Sequence, residues 1–222
     1  MLGTVGFGAA TLVFLAYGLT AHKYATKEAS FQLKTYSLAF IITALACAVW
    51  AVGTRLDSAL ESFVLVGDAL LLVASILLVR NVSPPKQTNL YTSLVVGLSV
   101  CSLIYRAVSG GQGPIMRDGI LVFYTPRIFG VFLITLLLAV WVRANMKFYA
   151  QVIRPTIKGV SLQSSYFAAN MLGAIGVSGF LFARKPVTIV ISFSMLVLAY
   201  LTLSALNYVA LKPDAKGVVD AK

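Results

Sequence analysis

Runs of about twenty mostly apolar residues recur along this chain with only short polar turns between them, and a run of that length matches the hydrocarbon core of a bilayer. Inside hydrocarbon every backbone N–H and C=O must be bonded within the protein, which leaves helices or closed barrels as the only spanning structures. Runs this long suit helices. There are seven of them, at about 3–21, 35–53, 62–79, 90–108, 121–142, 161–183 and 187–211. Of 222 residues, 59% are hydrophobic and 11% charged, too few charged groups to clothe a soluble domain. The expected fold is therefore an all-α polytopic membrane protein, a single domain over residues 1–222 forming a seven-transmembrane-helix bundle. The first run lacks a basic leader and a small-residue cleavage site, and His22, Lys23 and Lys27 follow it at once, so it is expected to be retained as a span.

Charge sets the expected orientation. Lys23, Lys27, Lys34, Arg80, Lys86, Arg143, Lys147, Arg154, Lys158, Lys212, Lys216 and Lys222 fall on one side of the layout, and Arg55, Arg117, Arg184 and Lys185 on the other. Twelve against four, under the positive-inside rule, puts the N-terminus outside and the C-terminus in the cytoplasm of a cell membrane. The net charge of +11 then points to anionic lipid on the cytoplasmic face rather than to nucleic acid. Arg143, Lys147, Arg154 and Lys158 recur at near-helical spacing in the longest internal loop, as expected of an extension of the fifth span lying against lipid headgroups. Asn81-Val82-Ser83 matches a glycosylation sequon, but this layout puts it in the cytoplasm, where it would not be used.

Charges within the spans carry the first candidate site. Asp68 lies in the third run among Leu, Val, Ala and Ile, and a carboxylate at that depth needs a partner. Arg106 and Arg127, from the fourth and fifth runs, fall at a similar depth in the outer half, with Glu61 and Tyr124 close enough to join. Two guanidinium groups against one carboxylate leave excess positive charge that could grip a small anion at two points. The Gly-rich turn 109–114 would roof such a pocket. The alternative is structural: Asp68 neutralises an arginine and fixes helix register.

Uncharged stripes mark other faces. Tyr36, Thr43, Cys47, Trp50 and Thr54 recur at helical spacing and are expected to face the bundle. Gly3, Gly6 and Ala10 share one side of the first run and permit close approach. Gln163, Tyr166 and Asn170, then Gly173, Gly176 and Gly179, mark the sixth, and Tyr200, Ser204 and Asn207 the seventh. Cys47 and Cys101 both fall within spans and read as buried thiols.

Catalytic chemistry has little support. There is one histidine, His22, and no Ser-His-Asp set, Cys-His pair, metal-ligand cluster or phosphate loop, so no cofactor and no metal are expected. No lysine lies between Val187 and Leu211, which removes a retinal Schiff base on the last span. Three function classes stay open: a binder of a small anionic ligand for transport or sensing, a non-catalytic accessory or assembly subunit of a larger membrane complex, and a lipid-acting membrane enzyme. The first two predict different company. A ligand binder stands as a monomer or homo-oligomer, whereas a subunit has membrane-protein partners.

Overall fold

The structure, a computed structural model, describes residues 2–27, 30–56, 59–82, 85–108, 115–117, 119–122, 127–153, 160–182 and 185–210. In chain order the elements are α1 (Leu2–Lys27), α2 (Phe31–Gly53), α3 (Leu60–Val82), α4 (Pro85–Val108), β1 (Ile115–Arg117), β2 (Ile120–Val122), α5 (Arg127–Phe148) with a π-helical turn at Tyr149–Ile153, α6 (Val160–Phe182) and α7 (Pro186–Ala210). Gly3–Thr26, Phe31–Gly53, Leu60–Val82 and Pro186–Tyr208 are each long and apolar enough to cross a membrane. The protein is thus a membrane-embedded helix bundle.

Local chemistry sets the helix ends. Ser30, in extended conformation, caps α2 by accepting from the Leu33 N–H at 3.4 Å, and the Thr54 N–H closes the other end onto the Trp50 carbonyl. Pro85 and Pro186 open α4 and α7, where the missing N–H costs nothing. Consecutive helices pack side by side and α7 returns to α1. Two contacts show why small residues sit where they do. A side chain at Gly67 would run into the Trp50 indole, and one at Gly176 would lie 2.7 Å from the Ser192 carbonyl and the Leu196 nitrogen of α7.

Helices alternate in direction, giving the bundle two distinct ends. At the hairpin end, the Gly3 N–H donates to the Gly119 carbonyl at 2.9 Å, and the Thr4 and Thr54 hydroxyls meet at 3.0 Å. At the opposite end, His22 Nδ1 meets the Ser37 hydroxyl at 3.2 Å, and Asn81 Nδ2 donates to the Gln32 carbonyl at 2.7 Å. The sequon nitrogen is therefore already engaged inside the fold.

Three expectations change. The fifth helix does not begin at 121: Ile115–Arg117 and Ile120–Val122 form an antiparallel hairpin turned at Gly119, whose φ of 73° favours glycine. The helix starts at Arg127, directly after Pro126 in the sequence, and runs to Phe148, so its frame is six residues later at each end than 121–142. Arg127 thus stands in the first turn of α5 rather than well inside it. The expected helical extension past the fifth span is present as far as the π-helical turn Tyr149–Ile153. Finally, Cys47 is buried as expected, but Cys101 is exposed on α4.

Candidate functional site

The interior at the end opposite the hairpin is built from neutral hydrogen-bonding side chains. Tyr36 Oη donates to Asn145 Oδ1 at 2.6 Å, which uses its one hydrogen. The 2.5 Å bond between the Tyr17 and Tyr36 hydroxyls must then be donated by Tyr17, and the 3.1 Å bond between Tyr17 and Tyr166 by Tyr166. Asn145 Nδ2 donates to Asn170 Oδ1 at 2.7 Å, and Asn170 Nδ2 donates to the Tyr166 carbonyl at 2.9 Å. The sequence of donors returns to the residue where it began. It ties α1, α2, α5 and α6 together with every polar atom used in one direction.

Packing encloses this ring. Tyr17, Tyr36 and Tyr166 are fully buried, Tyr36 stacks on Phe148 with centroids 4.8 Å apart, and Tyr17 meets Phe40 edge-on at 4.6 Å. On α7 the Tyr200 hydroxyl approaches Asn145. Asn207 lies beside Tyr17 with no exposed surface, yet neither of its amide atoms makes a hydrogen bond.

Next to the ring lies a cavity of about 160 Å³. Among the described residues, six helices wall it and none of the lining side chains is charged. Most of its wall is apolar or aromatic, including Phe7, Phe14, Trp141 and Phe193; Asn145, Asn170 and Tyr200 line it where it meets the ring. Thr43 and Ser75 also line it, but their hydroxyls already donate to Ala39 and Leu71 of their own helices. A second cavity of about 170 Å³ lies under the hairpin between α1, β2 and α7, again without a charged residue among the described lining residues. Phe7 and Phe193, with ring centroids 5.3 Å apart, line both and form the partition.

The charged candidates occupy other positions. Asp68 is half-buried on α3, engaged in an interaction of its own, and Glu61 is exposed in the first turn. Arg106 is in the last turn of α4 and Arg127 in the first turn of α5, at the hairpin end, but their side chains lie outside the described residues, as does Tyr124 altogether. Neither cavity is lined by Asp68 or Glu61. Among the expected headgroup contacts, Arg143 is exposed, while Arg154 and Lys158 lie outside the described residues. Lys147 turns inward and donates to the Asn81 carbonyl at the end of α3.

Four of the interior positions had a sequence signal. Tyr36 belongs to the buried stripe of α2, Tyr166 and Asn170 to α6, and Tyr200 to α7, whereas Gln163 is exposed. Tyr17 and Asn145 were missed. Tyr17 stood alone in an apolar run, though Ala10, Phe14, Tyr17, Ala21 and Ala25 form a buried stripe at helical spacing that would have pointed inward. Among the described residues no group of three or more His, Cys, Asp or Glu could hold a metal ion. No protein family, no curated protein and no solved structure matches the chain.

Proposed function

We propose that this chain is a seven-pass protein of the cell membrane, with its N-terminus outside and its C-terminus in the cytoplasm, that binds a small molecule inside the bundle for transport or sensing. One observation carries the binding reading: a cavity of about 160 Å³ is walled by six helices and meets fixed hydrogen-bonding groups where it touches the tyrosine-asparagine ring. An apolar cavity of about 150 Å³ takes a benzene ring, so a volume of this size is ample for a small ligand. Packing alone favours filling such a space with side chains, and the side chains that line it here leave it open. The seven-pass layout is supported by seven helices of 22 to 26 residues among the described residues and by the twelve-to-four charge division. In that layout the ring lies in the cytoplasmic half and Asp68 in the outer half.

The guanidinium pair of Arg106 and Arg127 with Asp68, Glu61 and Tyr124 stays in this reading as a feature of the outer rim. Anionic lipid meets Arg143 and the basic segment that follows it on the cytoplasmic side. The competing reading is an accessory subunit whose exposed apolar faces are covered by partner proteins. Purification from the native membrane without crosslinking separates the two. The binding reading expects a monomer or homo-oligomer that carries a substoichiometric small molecule, detected by native mass spectrometry. Fixed co-migrating membrane proteins and no retained small molecule would favour the subunit.

A further inference from the structure

We infer that the interior cavity takes an uncharged amphiphile, an apolar body bearing a single hydroxyl or carbonyl head, with the head seated on Asn170 and Tyr200; this rests on the cavity being a binding site. The wall fixes the charge of the guest. None of its described lining residues is ionisable at neutral pH, and among them an ion brought into such a space would give up hydration with nothing to replace it. The ring fixes where the head goes. Tyr36 has spent its hydroxyl hydrogen on Asn145, while Asn170 has spent one amide hydrogen on the Tyr166 carbonyl and one lone pair on Asn145. A second amide hydrogen and a second lone pair on Asn170 remain, together with the Tyr200 hydroxyl, at the edge of the cavity. That set can both donate and accept, which suits a hydroxyl or a carbonyl.

Shape limits the body. The lining runs from Leu138 to Asn145 on α5 and from Phe193 to Leu203 on α7, which at the helical rise is a length of roughly 10–15 Å along the bundle. A volume near 160 Å³ over such a length is narrow, and aromatic rings from α1, α2, α5 and α7 line it. A slim ring or short chain fits; a branched polar solute does not.

The protein supplies its own reporter, because its two tryptophans, Trp50 and Trp141, both line this cavity. Heavy-atom quenching of their fluorescence is titrated in nanodiscs with three probes of matched size, 4-bromophenol, bromobenzene and 4-bromobenzoate. Saturable quenching is expected with the phenol, about two- to tenfold tighter than with bromobenzene, as one added hydrogen bond supplies, and none with the benzoate. Tyr200→Phe should bring phenol and bromobenzene closer together while leaving saturation intact, and Ala174→Leu should weaken both. Equal saturable affinities for phenol and bromobenzene would overturn the head-group assignment while leaving the cavity as a site. Tightest binding by the benzoate would overturn the requirement for a neutral guest. Quenching that never saturates with any probe would overturn the binding reading itself.

Discussion

At the end of the bundle away from the hairpin, three tyrosines and two asparagines from four helices are bonded into one directed ring. At the hairpin end, Phe7, Trp50, Leu60, Val64 and Leu121 pack as a separate apolar cluster, and Glu61 stays in the exposed first turn of α3. One end is thus fixed by direction-specific bonds and the other by shape. The physical reason is cost. A hydroxyl or carboxamide whose bonds are all made can be buried at little penalty, whereas an ion at the same depth costs several kcal/mol unless paired. Polar specificity in this interior comes from neutral groups, and the described Asp, Glu, Lys and Arg side chains of the helices lie at ends and rims, with Asp68 alone part-way in.

The contrast can be broken at either end. Trp50→Ala should be the most damaging single change, because it empties the space between Phe7, Val64 and Gly67; a loss of about 3–5 kcal/mol is expected in reversible unfolding in bicelles. A loss below 1 kcal/mol would mean that the hairpin end is not held by packing.

Asn145→Leu removes two ring bonds and strands the Tyr36 hydroxyl, for an expected loss of about 2–4 kcal/mol. Unlike the tryptophan change, it should also lower hydrogen-exchange protection on both α2 and α6.

Lys147→Met should cost roughly 0.3–1 kcal/mol, the usual worth of a cation near a helix C-terminus. Its loss is read from reversible unfolding in bicelles at neutral pH, and a gain in stability would mean that the bond to the Asn81 carbonyl does not hold the end of α3.

Smallest of all are two changes that touch no ring bond. Glu61→Gln should stay within about 0.5 kcal/mol, since the side chain is exposed. Asn207→Leu should be neutral or stabilise by up to about 1 kcal/mol, because it removes buried amide atoms that have no bond to lose. A loss above 1 kcal/mol on Asn207→Leu would add α7 to the ring.

How far the sequence reached follows from what each signal depends on. Periodicity within a helix needs no knowledge of its neighbours, and so the stripe of Tyr36, Thr43, Cys47, Trp50 and Thr54 faces inward as expected, every member buried. Which stripes converge depends on how the helices pack, and no spacing within one helix encodes that Tyr17 meets Tyr36 and Tyr166. Asn145 was lost through a frame error. Ile120-Leu121-Val122 reads as the start of an apolar helix, which ends the span before Arg143 and puts a residue buried in the bundle into a basic loop. The short hairpin explains the error: three-residue strands give too little alternation to be told from a helix start. Asp68 stands out because ions are rare in such runs, yet rarity marks a position without saying what surrounds it.

The ring is the element on which the rest depends, and a double-mutant cycle between Tyr36→Phe and Asn145→Leu measures it most directly. If Tyr36 donates to Asn145 across the α2–α5 interface, the two losses should fall short of additivity by about 0.6–1.7 kcal/mol, the range found for hydrogen bonds between membrane helices. Strict additivity, with each change costing the same whether or not the other is present, would contradict the ring and remove the polar end of the cavity with it.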